Sequence, residues 1–393
     1  MALLDKFSSF LKDKEQLLSI KPAIFGTNIE RIYSPTEASI AGHKVLLAGT
    51  NNYLGLTFNR ECLAAAHKAI DEEGTGTTGS RMANGNYSLH RALEQELADF
   101  YHCKHGIVFS TGYQANLGTI SGLTGPGDVL LIDAHCHASI YDGCKLSGAE
   151  VIRFRHNDPE DLNKRLVRLG DRAGSTLIIV EGIYSMLGDT APLKEFVECK
   201  KQHNSYLLID EAHSLGVLGD TGQGLVEVDG VGEDVDFITG TFSKSLGSIG
   251  GYCVSNHPQL DVIRYMSRPY IFTASPSPAN IASARAALVL LREGRHLREQ
   301  LWKQANRLYS HLKSLGYKLG PEPGPVIAAQ LETPEEAIAI WTTLIEKGLY
   351  VNLIFPPASP ENKPLLRISI SAAHNDVQMD FICKLFSELA QGN

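Results

Sequence analysis

At 393 residues the chain is longer than one hydrophobic core usually organises, so two lobes or more are expected. With 43% hydrophobic and 20% charged residues it is an ordinary globular protein, and a net charge of −8 leaves no basic footprint for nucleic acid. Seven cysteines without paired spacing suit reduced thiols, and no apolar run reaches the roughly 18–20 residues that span a bilayer.

Leu3, Leu4, Phe7, Phe10, Leu11, Leu17 and Leu18 fall near helical spacing and predict an amphipathic helix. Its expected place is against its own body or a sister subunit, with peripheral membrane contact as the alternative. Asp5 and Lys6 bring charge too early for a signal peptide, so a cytoplasmic location is expected. Residues 1–50 read as this arm followed by a short strand at 44–47. Residues 51–280 read as a large α/β domain. Apolar runs at 106–109, 129–132, 177–180, 206–209 and 236–239 each end at a polar or glycine-rich turn, as in a buried, mostly parallel sheet with helices on both faces. Residues 281–393 read as a smaller α+β domain. It has a long helix near 280–315, a strand at 326–329 and a helix opened by Thr333-Pro334-Glu335-Glu336. Strands near 349–354 and 365–370 and a final helix from about 376 complete it.

Four motifs mislead. Gly74-Thr75-Gly76-Thr77-Thr78-Gly79 spells a dinucleotide fingerprint but follows a helical stretch at 61–73 instead of a strand. Asp210-Glu211-Ala212-His213 spells a helicase box, yet no phosphate-binding G-x-x-x-x-G-K-[ST] segment accompanies it. His135-Cys136-His137 and His102-Cys103-Lys104-His105 lack a distant partner pair, so no metal site is expected.

The chemistry concentrates elsewhere. Leu207-Leu208-Ile209 leads to Asp210 at a strand end, and Gly240-Thr241-Phe242-Ser243-Lys244-Ser245-Leu246-Gly247 sets a lysine among small hydroxyl residues and glycines. A lysine so placed can form a Schiff base with an aldehyde cofactor, and a strand-end aspartate can keep a pyridine nitrogen protonated. The pair describes a site for pyridoxal 5'-phosphate (PLP). Ser110-Thr111-Gly112-Tyr113-Gln114-Ala115-Asn116 follows a strand and opens a helix, where backbone amides favour a phosphate and Gly112 permits close approach. Thr241 and Ser243 offer hydroxyls to the same anion. Helix capping by Ser110 or Thr111 is compatible with that role. His213 can reach the phenolic oxygen of the cofactor, and Asp133-Ala134-His135-Cys136-His137-Ala138-Ser139 sets an imidazole after another strand, suited to stack on the ring.

These pieces, with Asn51-Asn52-Tyr53-Leu54-Gly55-Leu56, the block 74–85, Glu181-Gly182-Ile183-Tyr184-Ser185-Met186 and the run from Leu366 to His374, resemble the PLP-dependent α-oxoamine synthases. The resemblance covers essentially the whole chain and implies an α/β, fold-type I PLP-dependent transferase with a seven-stranded-type sheet. Members of that family condense a small amino acid with an acyl thioester and lose carbon dioxide. By the resemblance, Lys244 holds PLP and moves the α proton, Asp210 supports the ring nitrogen, His213 bonds the ring oxygen and His137 stacks on the ring. Gly112, Tyr113, Thr241 and Ser243 fall in its cofactor-binding segments, and Ser185 lies near the ring oxygen. Asn52, Arg81 and Arg367 match substrate-binding segments, with the Arg367 fork suited to a carboxylate. Thr273 matches a position that reaches the phosphate from a neighbouring subunit, which implies a homodimer with shared sites.

Within the family, Phe355-Pro356-Pro357-Ala358-Ser359-Pro360 followed by Leu365-Leu366-Arg367, together with the blocks 74–85 and 180–189, resembles the bacterial branch that uses L-serine and a long-chain acyl thioester. That branch makes 3-ketodihydrosphingosine, the first step of sphingolipid synthesis. The alternatives are the branches that make 8-amino-7-oxononanoate, 2-amino-3-ketobutyrate or 5-aminolevulinate. The prolines also admit a plainer reading, a stiff connection between two strands. A non-catalytic scaffold subunit is the contrasting class, and the presence of Lys244, Asp210 and His213 argues against it. Whether the acyl group arrives on coenzyme A or on acyl carrier protein stays open.

Overall fold

The structure, a computed structural model, describes residues 3–8, 10–12, 15, 26–356 and 358–391. Its central sheet has seven strands: β1 (His105–Phe109), β2 (Val129–Asp133), β3 (Glu150–Phe154), β4 (Thr176–Glu181), β5 (Tyr206–Asp210), β6 (Phe237–Thr241) and β7 (Gly251–Ser255). Their order is β1-β7-β6-β5-β4-β2-β3, with β7 antiparallel to both neighbours and the other pairings parallel.

The continuous apolar runs follow from burial on both faces. Leu131, Ile178, Val180, Leu207 and Ile209 point into one core, while Leu130, Ile132, Leu177, Ile179 and Leu208 point into the other. Side chains alternate across a strand, so a sheet covered on both sides needs apolar residues at every position. Burial of each such Leu or Ile contributes about 1.5–3 kcal/mol. Polar residues are left to the strand ends, and in parallel sheets the carboxyl ends are where sites form.

Two smaller four-stranded sheets flank this one. The first joins strands Arg31–Ser34, Glu37–Ile40 and His43–Leu47 to Leu349–Tyr350, which runs parallel to His43–Leu47. The segment before residue 50 therefore contributes three strands where one was expected. The second sheet orders Lys318–Leu319, Val326–Gln330, Leu365–Ser369 and Asn352–Ile354. The stretch expected as one strand near 349–354 is thus divided between two sheets, with Val351 at the crossing. The helix expected near 280–315 is two helices, Pro278–Glu293 and Arg295–Ser314, separated by Gly294.

The second sheet delivers the strand carrying Arg367 to the segment 48–53. Ser369 N donates to Ala48 O at 2.8 Å, Ala372 N to Tyr53 O at 2.7 Å, and Ser371 Oγ to Asn52 O at 2.6 Å. Toward the amino terminus, Asp5–Phe7 forms a 3-10 turn and the described residues Ser8, Phe10, Leu11, Lys12 and Glu15 are helical, while Leu3, Leu4, Phe7, Phe10 and Leu11 are exposed, so these five do not pack into the chain's own core. Leu17, Leu18 and Pro357, also invoked above, lie outside the described residues. No helix among the described residues is long and apolar enough to cross a membrane.

A buried charge cluster ties β1 to the helices around it. Glu94 Oε1 accepts from Arg81 Nη2 at 3.0 Å, Arg264 Nη1 at 2.8 Å and Val108 N at 2.9 Å. Removing one member of a buried pair strands the other in low dielectric. Glu94→Ala is expected to lower unfolding stability by about 3–5 kcal/mol, read as a drop in denaturant midpoint. A loss below about 1 kcal/mol, the range of an exposed pair, would show that the cluster is not acting as a buried one.

Candidate active site

Three neighbouring strands end in an acid at the same edge of the sheet. Asp133 closes β2, Glu181 closes β4 and Asp210 closes β5, and all three are buried, with Glu181 and Asp210 directly paired in register. Asp210 is aimed from two sides. Ala212 N donates to its Oδ1 at 2.9 Å and Asn116 Nδ2 to its Oδ2 at 2.7 Å. Asn116 is itself held by Ser139 Oγ at 2.9 Å and by Thr239 Oγ1, which donates to its Oδ1 at 2.8 Å.

Lys244 enters from the turn after β6. Ser248 N donates to Phe242 O, Phe242 N to Gly250 O, and Gly247 N to Lys244 O, with Gly247 taking the left-handed backbone at φ +59°. The lysine is only partly buried as a residue, but its amino end lies deep in the pocket. There burial lowers its pKa to about 8, and Arg367 adds to the effect against the pull of Asp210 and Glu181. Burial, reinforced by Asp210, pushes the Glu181 carboxyl well up. Burial, with Lys244, Arg367 and His137 around it, keeps the His213 imidazole neutral.

A cavity of about 280 Å³ opens between these groups, lined by Gly112, Tyr113, Asn116, His137, Asp210, His213, Thr241, Ser243 and Lys244 among others. On one side Thr111 caps the helix Gly112–Leu123, its Oγ1 accepting from Gln114 N at 3.1 Å. A Cβ at Gly112 would stand 2.6 Å from Thr241 Cβ, so glycine is what lets the helix start meet the lysine loop. Thr241 Oγ1 and Ser243 Oγ lie 2.8 Å apart beside it. On the other side His137 caps the helix Ala138–Ser147, with Nδ1 2.8 Å from Ser139 Oγ and its backbone N–H donated to the Glu181 carboxylate. The ring is exposed toward the cavity mouth, edge-on to Tyr113 at 6.3 Å, while the Tyr113 hydroxyl bonds Asp142.

The remaining expected residues sit outside the cavity lining. Arg367 Nε donates to Ser185 O at 2.6 Å, and its Nη1 to Asn51 Oδ1 and Ser369 Oγ at 3.1 Å each. Asn52 donates to Thr57 Oγ1 at 2.8 Å, and its own buried Oδ1 has no partner among the described residues. Thr273 Oγ1 accepts from Gln114 Nε2 at 3.1 Å. Arg81 is not brought to the site within this chain. Its guanidinium is occupied by Asn86, Val108 O and Glu94 and lies over Tyr270.

Four contributors went unassigned in the sequence reading: Asn116, Ser139, Glu181 and Tyr53, whose hydroxyl lies 2.7 Å from His213 Nδ1. For Glu181 a signal existed, since it ends its strand as Asp210 does. Nothing in the local sequence marks the other three.

The donor set fits PLP. It offers one amine of lowered basicity, one oriented buried carboxylate, a neutral imidazole, an exposed flat ring, and a helix start beside two hydroxyls.

The family model described as aminotransferase class I and II matches residues 43–386. The chain is 54% identical to the serine palmitoyltransferase (SPT) of Caulobacter vibrioides, over 99% of this chain and 96% of that protein. Among solved structures, the Sphingomonas wittichii serine palmitoyltransferase superposes with a TM-score of 0.97 at 48% identity, covering 100% of this chain and 99% of that one. An SPT structure with PLP as the internal aldimine superposes at 0.96 with 45% identity, covering 100% and 99%.

The neutral amine is the reactive form of Lys244, so it is expected to gain reactivity as pH rises through about 8 and then level off. An exposed lysine would keep rising toward 10.5. Competitive labelling of PLP-free protein with a small amine reagent, read by peptide mass spectrometry, measures this. A Lys244 profile that follows the exposed lysines would contradict the burial argument.

Proposed function

The chain belongs to the class I and II aminotransferase family and uses PLP, and on that premise we propose that it is a serine palmitoyltransferase, joining L-serine to a long-chain acyl thioester. The bond formed links the serine α carbon to the acyl carbonyl carbon. The thiol leaves, the serine carboxylate departs as carbon dioxide, and the product is 3-ketodihydrosphingosine. The observation that carries the reading is the convergence of Lys244, at a pKa of about 8, with the oriented Asp210 carboxylate in one cavity.

Bound there, PLP supplies an electron sink for the carbon that loses its proton. Each residue has a task that its setting supports. Lys244 would anchor the cofactor, and its amine, with a pKa of about 8, can accept the α proton at Nζ. Asp210, locked by Asn116 and Ala212, would pair with the ring nitrogen. His213, neutral and backed by Tyr53, would bond the ring oxygen, with Ser185 nearby. His137 would lie against the ring, and Gly112, Tyr113, Thr241 and Ser243 would hold the phosphate end. Arg367, whose guanidinium fork can donate to both oxygens, and Asn52, through its Nδ2 donor group, receive the serine carboxylate. Thr273 completes the phosphate site of a second subunit, a role supported by the exposed Phe272 beside it. We place this homodimer in the cytoplasm.

Titrating the PLP-loaded protein with serine, glycine, alanine and threonine tests the reading, with visible absorbance as the signal. A saturable change at the lowest concentration with L-serine is expected. A preference for alanine or glycine would move the assignment to another branch of the family. Lys244→Ala should lose the lysine-bound cofactor band and lower kcat by roughly 10³-fold or more. A Lys244→Ala protein condensing serine at full rate would sink the assignment.

A further inference from the structure

Beside the cavity, on the turns that leave β2, β3 and β4, a second group of charges has no role in the reading above. His156 Nδ1 lies 2.8 Å from Asp133 Oδ1 and its Nε2 lies 2.6 Å from Asp189 Oδ2. Both ring nitrogens therefore face carboxylate oxygens. Ionised carboxylates only accept, so both nitrogens carry protons and the ring is an imidazolium. Asp133 and Asp189 are almost wholly buried, and the His156 side chain is largely so. His135 stacks on His156 at 3.9 Å and Tyr184 stands edge-on at 4.5 Å. Asn157 repeats the bridge one residue on. Its N–H donates to Asp133 Oδ2 at 2.9 Å and its Nδ2 to Asp189 Oδ2 at 3.0 Å. Among the described residues Asp189 Oδ1 has no partner, and its Oδ2 is held by His156 and Asn157.

The two aspartates belong to different loops. Asp133 begins the turn that accepts His135 N at 2.8 Å and delivers His137. Asp189 closes the loop 181–190, where Tyr184 N donates to Asp189 O at 2.9 Å and Ile183 bridges Thr190. That loop presents the Ser185 carbonyl to Arg367 Nε. We propose that His156 is a positioning residue whose imidazolium clamps the His137 loop to the Ser185 loop and, through Ser185, aims Arg367 at the amino-acid carboxylate. The inference rests on the functional reading above, which gives Arg367 its ligand. Burial disfavours the charged ring, but the hydrogen bonds to Asp133 and Asp189 outweigh it and hold the His156 pKa at about 9. The clamp is therefore closed at neutral pH and opens as pH rises through about 9.

The test uses PLP-loaded protein and follows serine by the visible change as well as by turnover. For His156→Gln, the serine KM should rise about tenfold, the weight of one charge-assisted hydrogen bond, with kcat within about twofold. The cofactor band should be retained. Asp189→Asn is the second variant, because it removes one carboxylate and lets His156 lose its proton at lower pH. The pH at which serine affinity falls should then move down relative to the unmodified protein, a comparison in which serine's own ionisation cancels. An unchanged serine KM in His156→Gln, or superimposable pH profiles for Asp189→Asn, would overturn the clamp even if melting temperature fell. If the unmodified protein shows no response to serine, the functional reading fails, and the clamp with it.

Discussion

Crowding three carboxylates and a lysine into one poorly solvated edge of a sheet is the constraint on which the rest of this structure depends. Each charge there is unfavourable alone, and each is tolerated because of a named partner. Asp210 has the amide of Asn116 and the Ala212 N–H. Glu181 is pushed well above its ordinary pKa and still accepts the His137 N–H. Asp133 has the His156 imidazolium. Burial, with Arg367 adding to it against the pull of Asp210 and Glu181, lowers the Lys244 pKa to about 8. Such a balance keeps an amine usable for proton transfer near neutral pH.

The same edge explains why glycine and small hydroxyl residues gather around it. The helix start at Gly112 can reach Thr241 only without a side chain in between. The lysine turn closes through Gly247 in the left-handed region. These close approaches place amide and hydroxyl donors beside an amine and a carboxylate within about 280 Å³. Rigidity comes from the sheet, whose strands are packed on both faces, so the site stands on the least deformable part of the fold.

Legibility of the site in the sequence varied with how local its parts are. Asp210 and Lys244 were readable because a strand-end acid and a glycine-flanked lysine are each marked by their neighbours. Asn116 was not, since it lies four residues into a helix and gains meaning only where that helix crosses the end of β5. Arg81 went the other way. A motif match suggested a substrate contact, but the residue is held by Glu94 in a buried cluster. Near Arg367, it is Asn51 that touches the guanidinium, while Asn52 turns to Thr57. One residue of register decides between them, and no local pattern records it.

The sequence by itself determined the parallel sheet, through apolar runs with no polar alternation, and it determined which loops carry the reactive groups. It also supplied the helix starts, through Thr333 and Pro334 among others. Tertiary structure alone decided how segments far apart in the chain meet. It divided 349–354 between two sheets and broke the long helix at Gly294. It joined His156 to Asp133 and Asp189, and it brought Arg367 to Ser185 across 182 positions. The reason is physical. Periodicity and capping are set by neighbours a few residues away, whereas a buried charge is placed by whichever partner the finished packing puts beside it.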